Sequence, residues 1–368
     1  MTYSIKLLLM ALVALALALF LARRVLAQAM PDGQFKQASW LLIASVLISF
    51  LSLKPVIFMI LVATLFFFVA MDARDSISNK IAAFALFVVV FPPISYTLGN
   101  LGDLNQLTEL RVARLGSIIL LVPAALQIST RPAPRYPAWL MWTDILIVSY
   151  FALRIILNIP HSPTTLILRT TVESMIDTII PYYVFSRGFS NREEIAKVLA
   201  WMGLGFIFAA CVALFEFAGQ RNLYAELQGI YGVTWQLTLR LTRGAYLRTQ
   251  AMTPQPLVLA FLLVYGVTCT ALLFKSSQRK AINLLVLGAF AAAVLTTFSR
   301  GALVGAMVAA TVLFALRNGG ATRFKLGVVG VLLAAVVLRV VGLDSVVVTT
   351  IGGMLGGGTA GLQTIDYR

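Results

Sequence analysis

The sequence has little charge, one histidine and two cysteines, and each shortage excludes a class of function. Only 12% of the 368 residues are charged and 60% are hydrophobic, which excludes a water-soluble globule of this length. His161 is the single histidine, and neither a histidine-based metal site nor a Ser/His/Asp constellation can be assembled from it. Cys211 and Cys269 both lie in apolar runs, so no disulfide framework is predicted. No Asp-x-Asp pair is present, and we expect neither a metal nor a cofactor.

Acidic residues are also scarce, with 14 Asp and Glu against 29 Lys and Arg and a formal net charge of +15. The basic residues lie mostly in short connections between apolar runs, and they are not interleaved with aromatic residues as in a nucleic-acid interface. Such connections are typical of the positive-inside bias of membrane proteins. We therefore expect membrane lipids as partners and no nucleic acid.

Long apolar runs occupy most of the chain. A helix needs roughly 20 apolar residues to cross a bilayer, because its backbone polar groups must be satisfied within the segment. Pro92-Pro93 interrupts the fourth run, and the break at 52–55 shortens the second and third, so eleven spans are an alternative to twelve. The pattern predicts an all-α, polytopic transmembrane helical bundle. The runs are 7–22, 38–53, 55–71, 81–98, 115–130, 139–158, 164–185, 195–218, 254–274, 281–297, 302–316 and 326–341.

Basic connections predict the orientation of these runs. The connections 275–280 and 317–325 are compact and rich in Lys and Arg, which is typical of the cytoplasmic side. Successive connections alternate between the two sides of the membrane. Counting spans from these two connections therefore places the connection 219–253, the turn 299–301 and the chain after 342 outside. Twelve spans then put the N-terminus outside, and eleven put it inside.

The connection 219–253 does not follow the positive-inside bias. It contains no Lys and a single acid, Glu226, and its arginines are Arg221, Arg240, Arg243 and Arg248. A planar guanidinium forms paired hydrogen bonds with phosphate oxygens, so an arginine cluster at the outer surface suits a lipid-linked diphosphate. The alternative is an inverted orientation, in which this connection is an ordinary basic cytoplasmic loop.

Two further residues are predicted to lie on the same side. Arg300 occupies the tight turn Ser299-Arg300-Gly301, either as part of the phosphate site or as an interfacial anchor. Glu216 lies near the outer end of the eighth run. It is predicted either to fix one of the loop arginines or to act as an acceptor carboxylate.

Charged residues also lie inside the apolar runs, at Asp144, Arg154, Arg169, Glu173 and Asp177. The last three are spaced four apart and share one helix face, which should turn toward the bundle interior because charge in lipid is costly. One interpretation is an architectural ion pair between Arg169 and Glu173. The other is a secondary transporter or flippase of envelope precursors in which the five residues line the pathway.

The arginine-bearing connection and the Ser-Arg-Gly turn together resemble the O-antigen ligase and polymerase superfamily of bacterial envelope glycosyltransferases. The resemblance covers roughly residues 200–368, and the first half matches only as a hydrophobic bundle. Three motifs carry it: Arg243-Gly244 leading to Thr-Pro-Gln-Pro-Leu-Val-Leu-Ala at 253–260, Thr-Phe-Ser-Arg-Gly-Ala at 297–302, and Ile-Asp-Tyr-Arg at 365–368.

This resemblance implies a GT-C-like membrane glycosyltransferase and a metal-independent inverting transfer at the periplasmic face of the bacterial inner membrane. The donor would be an undecaprenyl-diphosphate-linked glycan, and the acceptor lipid A core or the end of a growing polysaccharide. Carried over by resemblance, Arg243 or Arg248 and Arg300 would stabilise the charge that develops on the diphosphate, so Arg243 and Arg300 are catalytic candidates. Glu216 is added as a third catalytic candidate from its position in the sequence. The diphosphate would be held by Arg240, Arg243, Arg248, Arg300 and Arg368.

The same resemblance divides the chain into three parts. Residues 1–198 would form N-terminal transmembrane helices, 199–343 the ligase-like or polymerase-like core with the periplasmic connection 219–253, and 344–368 the start of a large periplasmic loop. In the family that loop continues past the arginine matched by Arg368 and supplies a histidine proposed as general base. Either this sequence is a fragment, which we expect, or the protein lacks the catalytic half of the family. His161 does not match the family's motif.

Overall fold

A computed structural model of the protein describes residues 2–27, 29–52, 54–72, 76–97, 109–130, 138–224, 227, 241–243, 246–273, 280–299 and 305. These residues form two compact units. The first unit contains Met1–Phe35 and the chain from Met202 onward, and the second contains Lys36–Trp201. The predicted boundary at 198/199 lies close to the change of unit at Met202, but the first helix groups with the later ones.

Helices make up nearly all of the described chain. The α-helices are α1 (Thr2–Val25), α2 (Asp32–Leu51), α3 (Pro55–Asp72), α4 (Ile77–Val90), α5 (Val112–Gly116), α6 (Val122–Ser129), α7 (Ala138–Asn158), α8 (Thr164–Ser174), α9 (Ile180–Arg187), α10 (Arg192–Gly219), α11 (Pro256–Leu273) and α12 (Lys280–Thr296). The π-helical segments Ser117–Leu121 and Met175–Ile179 join α5 to α6 and α8 to α9, and a 3-10 turn, Ile159–His161, follows α7. Two short antiparallel ribbons complete the fold: β1 (Ser95–Thr97) with β2 (Glu109–Arg111), and β3 (Thr242–Arg243) with β4 (Tyr246–Leu247).

Among the described residues, six helical segments are long and apolar enough to cross a bilayer: Ile5–Val25, Asp32–Leu51, Pro55–Asp72, Val112–Ser129, Leu140–His161 and Arg192–Gly219. Three shorter apolar helices, Ile77–Val90, Pro256–Ala271 and Ala281–Thr296, accompany them. The predicted all-α bundle is confirmed for the described residues. These features define a multi-pass helical membrane protein. The predicted runs 302–316 and 326–341 lie outside the described residues, except for Gly305.

The fourth predicted run is wrong beyond Val90. Helix α4 begins after Ser76, whose hydroxyl accepts a hydrogen bond from the Asn79 N–H at 3.3 Å, and it ends before Phe91. Phe91 has φ −77° and ψ 136° because Pro92 disfavours a helical conformation at the preceding residue. The chain then forms strand β1 where the hydropathy pattern predicted a continuing helix.

Phenylalanine rings hold α3 and α4 together in the second unit. The Phe66 ring centroid lies 4.7 Å from that of Phe87 and 6.1 Å from that of Phe91. Phe58 packs edge-on against Phe91 at 5.9 Å. All four rings are buried, so this aromatic cluster forms a core that positions the polar residues of the neighbouring helices.

In the first unit α1 and α10 are antiparallel. A Cβ placed at Gly219 would lie 3.1 Å from the Met10 side chain, and one at Gly203 would lie 3.7 Å from Leu26. The N-terminal end of α1 therefore lies beside the C-terminal end of α10. The choice between eleven and twelve spans stays a prediction, because the runs 302–316 and 326–341 lie outside the described residues apart from Gly305.

Helix α11 also runs antiparallel to α10 and approaches it closely. A Cβ at Gly266 would lie 2.8 Å from the Cβ of Phe206 and 3.0 Å from the Phe290 ring of α12. The two helices can approach this closely because glycine has a hydrogen in place of a Cβ. We call the end of the first unit that holds the C-termini of α10 and α12 the loop end. Arg23, Arg24 and Lys280 lie at the opposite end of α1 and α12.

Candidate functional site

A buried carboxylate near the end of α10 holds both ends of the connection 219–253. Glu216 lies in the last turn of the helix and is fully buried. Its Oε1 accepts the N–H of Leu223 at 2.8 Å, and its Oε2 accepts those of Gln250 at 3.1 Å and Ala251 at 2.8 Å. Because both oxygens accept backbone hydrogen bonds, the geometry favours a role in holding the connection over one in accepting a substrate proton.

The chain leaves α10 through a left-handed residue. Gln220 has φ 52°, the Arg221 N–H donates to the Glu216 carbonyl at 3.1 Å and the Gln220 N–H to the Phe217 carbonyl at 3.3 Å, as in a Schellman motif. Glycine is the usual residue at this position. Here the Gln220 side chain supplies a second contact, because its Oε1 accepts the Leu247 N–H at 2.9 Å. This residue therefore both ends the helix and fixes strand β4.

The arginine-bearing connection lies on the C-terminal end of α12. The Arg248 guanidinium Nε donates to the Thr297 carbonyl at 3.1 Å. The Thr249 N–H donates to the Thr296 carbonyl at 3.3 Å, and the two threonine hydroxyls are 2.8 Å apart. A cationic donor at a helix C-terminus satisfies carbonyls that have no intrahelical partner. The two connections singled out in the sequence thus meet, through Arg248 and the residues that precede Arg300.

The structure places the other predicted arginines only in part. Arg243 lies in β3, where it pairs with Tyr246, and its side chain is outside the described residues. Arg240, Arg300 and Arg368 are also outside the described residues. Their assignment to a diphosphate site therefore stays a prediction.

Strained backbone marks the loop end. Three non-glycine residues of the described chain have positive φ, namely Gln220 at 52°, Ala251 at 46° and Phe298 at 50°. Gln220 and Ala251 take part in the contacts described above, and Phe298 follows Thr297, whose carbonyl accepts from Arg248. Such conformations persist only where surrounding interactions determine them, and they concentrate at functional sites.

The strain at Ala251 supports a direct prediction. Ala251→Gly should change the free energy of unfolding by less than about 1 kcal/mol, because glycine adopts positive φ without a steric penalty. Ala251→Pro should cost about 3 kcal/mol or more, since proline cannot adopt this φ and removes the N–H bound to Glu216. Thermal unfolding of both variants in detergent measures the difference. Equal midpoints would contradict the geometry of this turn.

A second charged cluster lies in the second unit, between α5 and the helical segment 164–187. The Arg114 guanidinium donates to Asp177 through Nε at 3.2 Å and through a terminal nitrogen at 2.8 Å, and it lies 3.4 Å from Glu173. Arg169 donates to Glu173 at 2.9 Å, which confirms the predicted pair four residues apart. We call these four residues the ion network. Arg114 was missed in the sequence because its partners are about sixty residues away.

Both partners of Asp144 come from α9. Asp144 accepts a hydrogen bond from the Tyr182 hydroxyl at 2.7 Å and binds the Arg187 guanidinium. Arg154, grouped with it in the predicted pathway, is exposed on α7. His161 is exposed in the 3-10 turn after α7. Among the described residues no group of three or more His, Cys, Asp or Glu side chains could hold a metal ion.

The ion network lies at two interrupted helices. Its Arg114 precedes the π-helical segment Ser117–Leu121, and Asp177 lies within the segment Met175–Ile179. Each segment is followed by a proline at the second position of the next helix, Pro123 or Pro181. A proline lacks the N–H that continues the helical ladder, and π-helical turns are common at functional sites. The two segments lie against each other.

Comparison of the chain with protein-family models, with curated proteins and with solved structures finds no match. The functional proposal therefore depends on the residues and contacts of the two clusters.

Proposed function

We propose that the protein transfers a glycan from an undecaprenyl-diphosphate-linked donor to an acceptor hydroxyl at the periplasmic face of the bacterial inner membrane. The observation that carries this proposal is the hydrogen bond from Arg248 to the Thr297 carbonyl. It holds the arginine-bearing connection against the turn that leads to Arg300. Arginines from two separate parts of the chain can then converge on one diphosphate.

The distribution of charge within the first unit supports an outer position for this site. Arg23, Arg24 and Lys280 lie at the end of the helices remote from the loop end. The positive-inside bias assigns that remote end to the cytoplasm. The loop end, with Glu216 and Arg248, then faces outward, where a lipid-linked donor would be met.

The reaction requires stabilisation of a departing diphosphate. The acceptor hydroxyl oxygen forms a bond to the anomeric carbon, and the bond from that carbon to the diphosphate oxygen breaks. The hydroxyl proton passes to a base, and the prenyl diphosphate leaves with the bonding electrons. Guanidinium groups of Arg243, Arg248 and Arg300 would bind the negative charge that develops on the leaving group. Glu216 would act as a positioning residue that holds the connection in shape.

Replacement of Arg248 tests the proposal. In proteoliposomes that contain the full chain, the lipid-linked donor and an acceptor, Arg248→Ala should lower glycan transfer roughly 100-fold, because a preorganised donor to the leaving group is lost. Arg248→Lys should recover only part of the activity, since it keeps the charge without the planar fork. Arg24→Ala, an exposed arginine at the remote end of α1, is the matched control and should retain activity. Undiminished transfer by Arg248→Ala would remove the proposed diphosphate site.

One observation favours a second candidate function, transport of an envelope precursor. The ion network lies between two helices that are both interrupted by a π-helical segment and a proline, and transporters often build their binding sites at interrupted helices. The same proteoliposomes distinguish the two functions. A labelled precursor that crosses the bilayer without becoming attached to an acceptor would favour transport.

A further inference from the structure

Three aromatic rings meet at the loop end of the first unit. Phe217 comes from the last turn of α10, Tyr246 from β4 and Phe298 from the turn after α12. The ring centroids are 6.1 Å apart for Phe217 and Tyr246, 6.3 Å for Tyr246 and Phe298, and 6.3 Å for Phe217 and Phe298. We call these residues the aromatic triad.

The triad does not belong to the buried core. All three residues are partly exposed. By contrast, Phe206 in α10 and Phe290 in α12, which lie farther from the loop end, are fully buried. Tyr246 is inclined by only 27° and 26° to its two neighbours. At centroid distances of 6.1 Å and 6.3 Å these two pairs lie in the range of offset stacking, in which the ring faces overlap only in part. The triad therefore presents accessible ring surface.

The backbone at Phe298 supports a use for this surface. Its φ of 50° lies in the left-handed region, which is costly for a bulky residue and easily adopted by glycine. The sequence thus places an aromatic residue at a backbone position that favours glycine. Such strain points from the observed geometry to a functional requirement.

The triad lies beside the proposed diphosphate site. Arg248 follows Tyr246 by two residues, and its guanidinium binds the carbonyl of Thr297, the residue before Phe298. A ligand whose phosphates are bound by Arg248 would therefore have its adjoining group near the three rings. In a lipid-linked glycan, one group adjoining the diphosphate is a sugar, which has a face of polarised C–H groups that complements the negative face of an aromatic ring.

We propose that Phe217, Tyr246 and Phe298 bind the sugar ring that is joined directly to the donor diphosphate. The prenyl chain is the other group that adjoins the diphosphate, and the experiment below treats it as a separate outcome. The triad would thus select donors by their first sugar. This inference rests on the proposed function of the loop end.

Binding of two carriers tests the triad. The probes are prenyl diphosphate that carries one sugar and prenyl diphosphate that carries none, each titrated into the purified full chain in nanodiscs. The wild-type chain should bind the sugar-bearing carrier about tenfold more tightly, since ring stacking contributes on that order. Phe217→Leu and Tyr246→Leu should lose this ratio between the two affinities, and they should bind the bare carrier as tightly as the wild-type chain does. Tyr246→Phe retains the ring and should keep the ratio, and so should Tyr150→Leu, an exposed ring of α7.

The outcomes separate the two proposals. Failure of the wild-type chain to bind either carrier would contradict the proposed function together with this inference. Binding of both carriers with an unchanged ratio in the leucine variants, or with no preference in the wild type, would overturn the triad alone. An equal loss of affinity for both carriers would assign the rings to the prenyl diphosphate and would also overturn it.

Discussion

Glu216→Ala is expected to release the connection 219–253 and to abolish any activity of the loop end. The substitution removes the acceptor of three backbone N–H groups, from Leu223, Gln250 and Ala251, at a position with no access to solvent. Each buried donor that loses its partner costs about 1–3 kcal/mol, so the free energy of unfolding should fall by about 3 kcal/mol or more. The thermal midpoint in detergent and hydrogen exchange at these three amides would measure the effect.

Two variants serve as controls for this result. Glu193→Ala removes an exposed carboxylate from the first turn of the same helix and should change the free energy of unfolding by less than about 0.5 kcal/mol. Glu216→Gln keeps the shape of the side chain but turns an amide N–H donor toward backbone N–H donors. Its free energy of unfolding should therefore lie between those of the wild type and Glu216→Ala. A Glu216→Ala protein with wild-type stability and unchanged exchange at residues 250 and 251 would refute the anchoring role.

Arg114→Ala is the second substitution with a large expected effect. It leaves Asp177 and Glu173 without the guanidinium that joins them inside the second unit. Breaking a buried ion pair costs several kcal/mol because the remaining charge is uncompensated. We expect the free energy of unfolding to fall by roughly 3 kcal/mol. This is the lower end of the range for buried pairs, because the Asp177 side chain is 33% exposed. Arg154→Ala, an exposed arginine of α7, should have a much smaller effect.

A double variant shows whether the ion network is architectural. In Arg114→Met with Asp177→Asn both charges of the bidentate pair are removed, so the stability lost in Arg114→Ala should be largely recovered. If the network only supports the fold, the double variant should also recover any activity of the protein. A stable double variant that can no longer move a precursor across the bilayer would instead support the transport function. Failure to recover stability would contradict the pairing of Arg114 with Asp177.

The helices of this protein could be predicted largely from hydropathy. The break at Lys54-Pro55 and the helix that begins near Pro256 follow from local sequence, because proline and the residue before it restrict the backbone. The fourth run was predicted too long because hydropathy ignores this restriction: α4 ends before Pro92 although the apolar pattern continues. The π-helical segments before Pro123 and Pro181 could not be predicted, because a wider helical turn leaves no distinct hydrophobic period.

The candidate sites could be predicted less completely, and the distance between partners explains the difference. The Arg169–Glu173 pair was predictable because both residues lie one helical turn apart. The partners of Arg114 and Asp144 come from other helices, 63 and 43 residues away in the chain. Glu216 was identified as a candidate, but its hydrogen bonds come from backbone N–H groups, which every residue except proline carries and no sequence pattern distinguishes. Only the fold could reveal that role.

The central claim is that the arginine-bearing connection and the turn that contains Arg300 share the outer face of the membrane. Single cysteines at Thr242, Arg300 and Arg24, in a chain whose buried Cys211 and Cys269 are replaced by alanine, test it by labelling of intact cells with an impermeant thiol reagent. Positions 242 and 300 should be labelled from outside, and position 24, at the opposite end of α1, only after the membrane is opened. Labelling that places 242 and 300 on opposite faces, or both in the cytoplasm, would contradict the account.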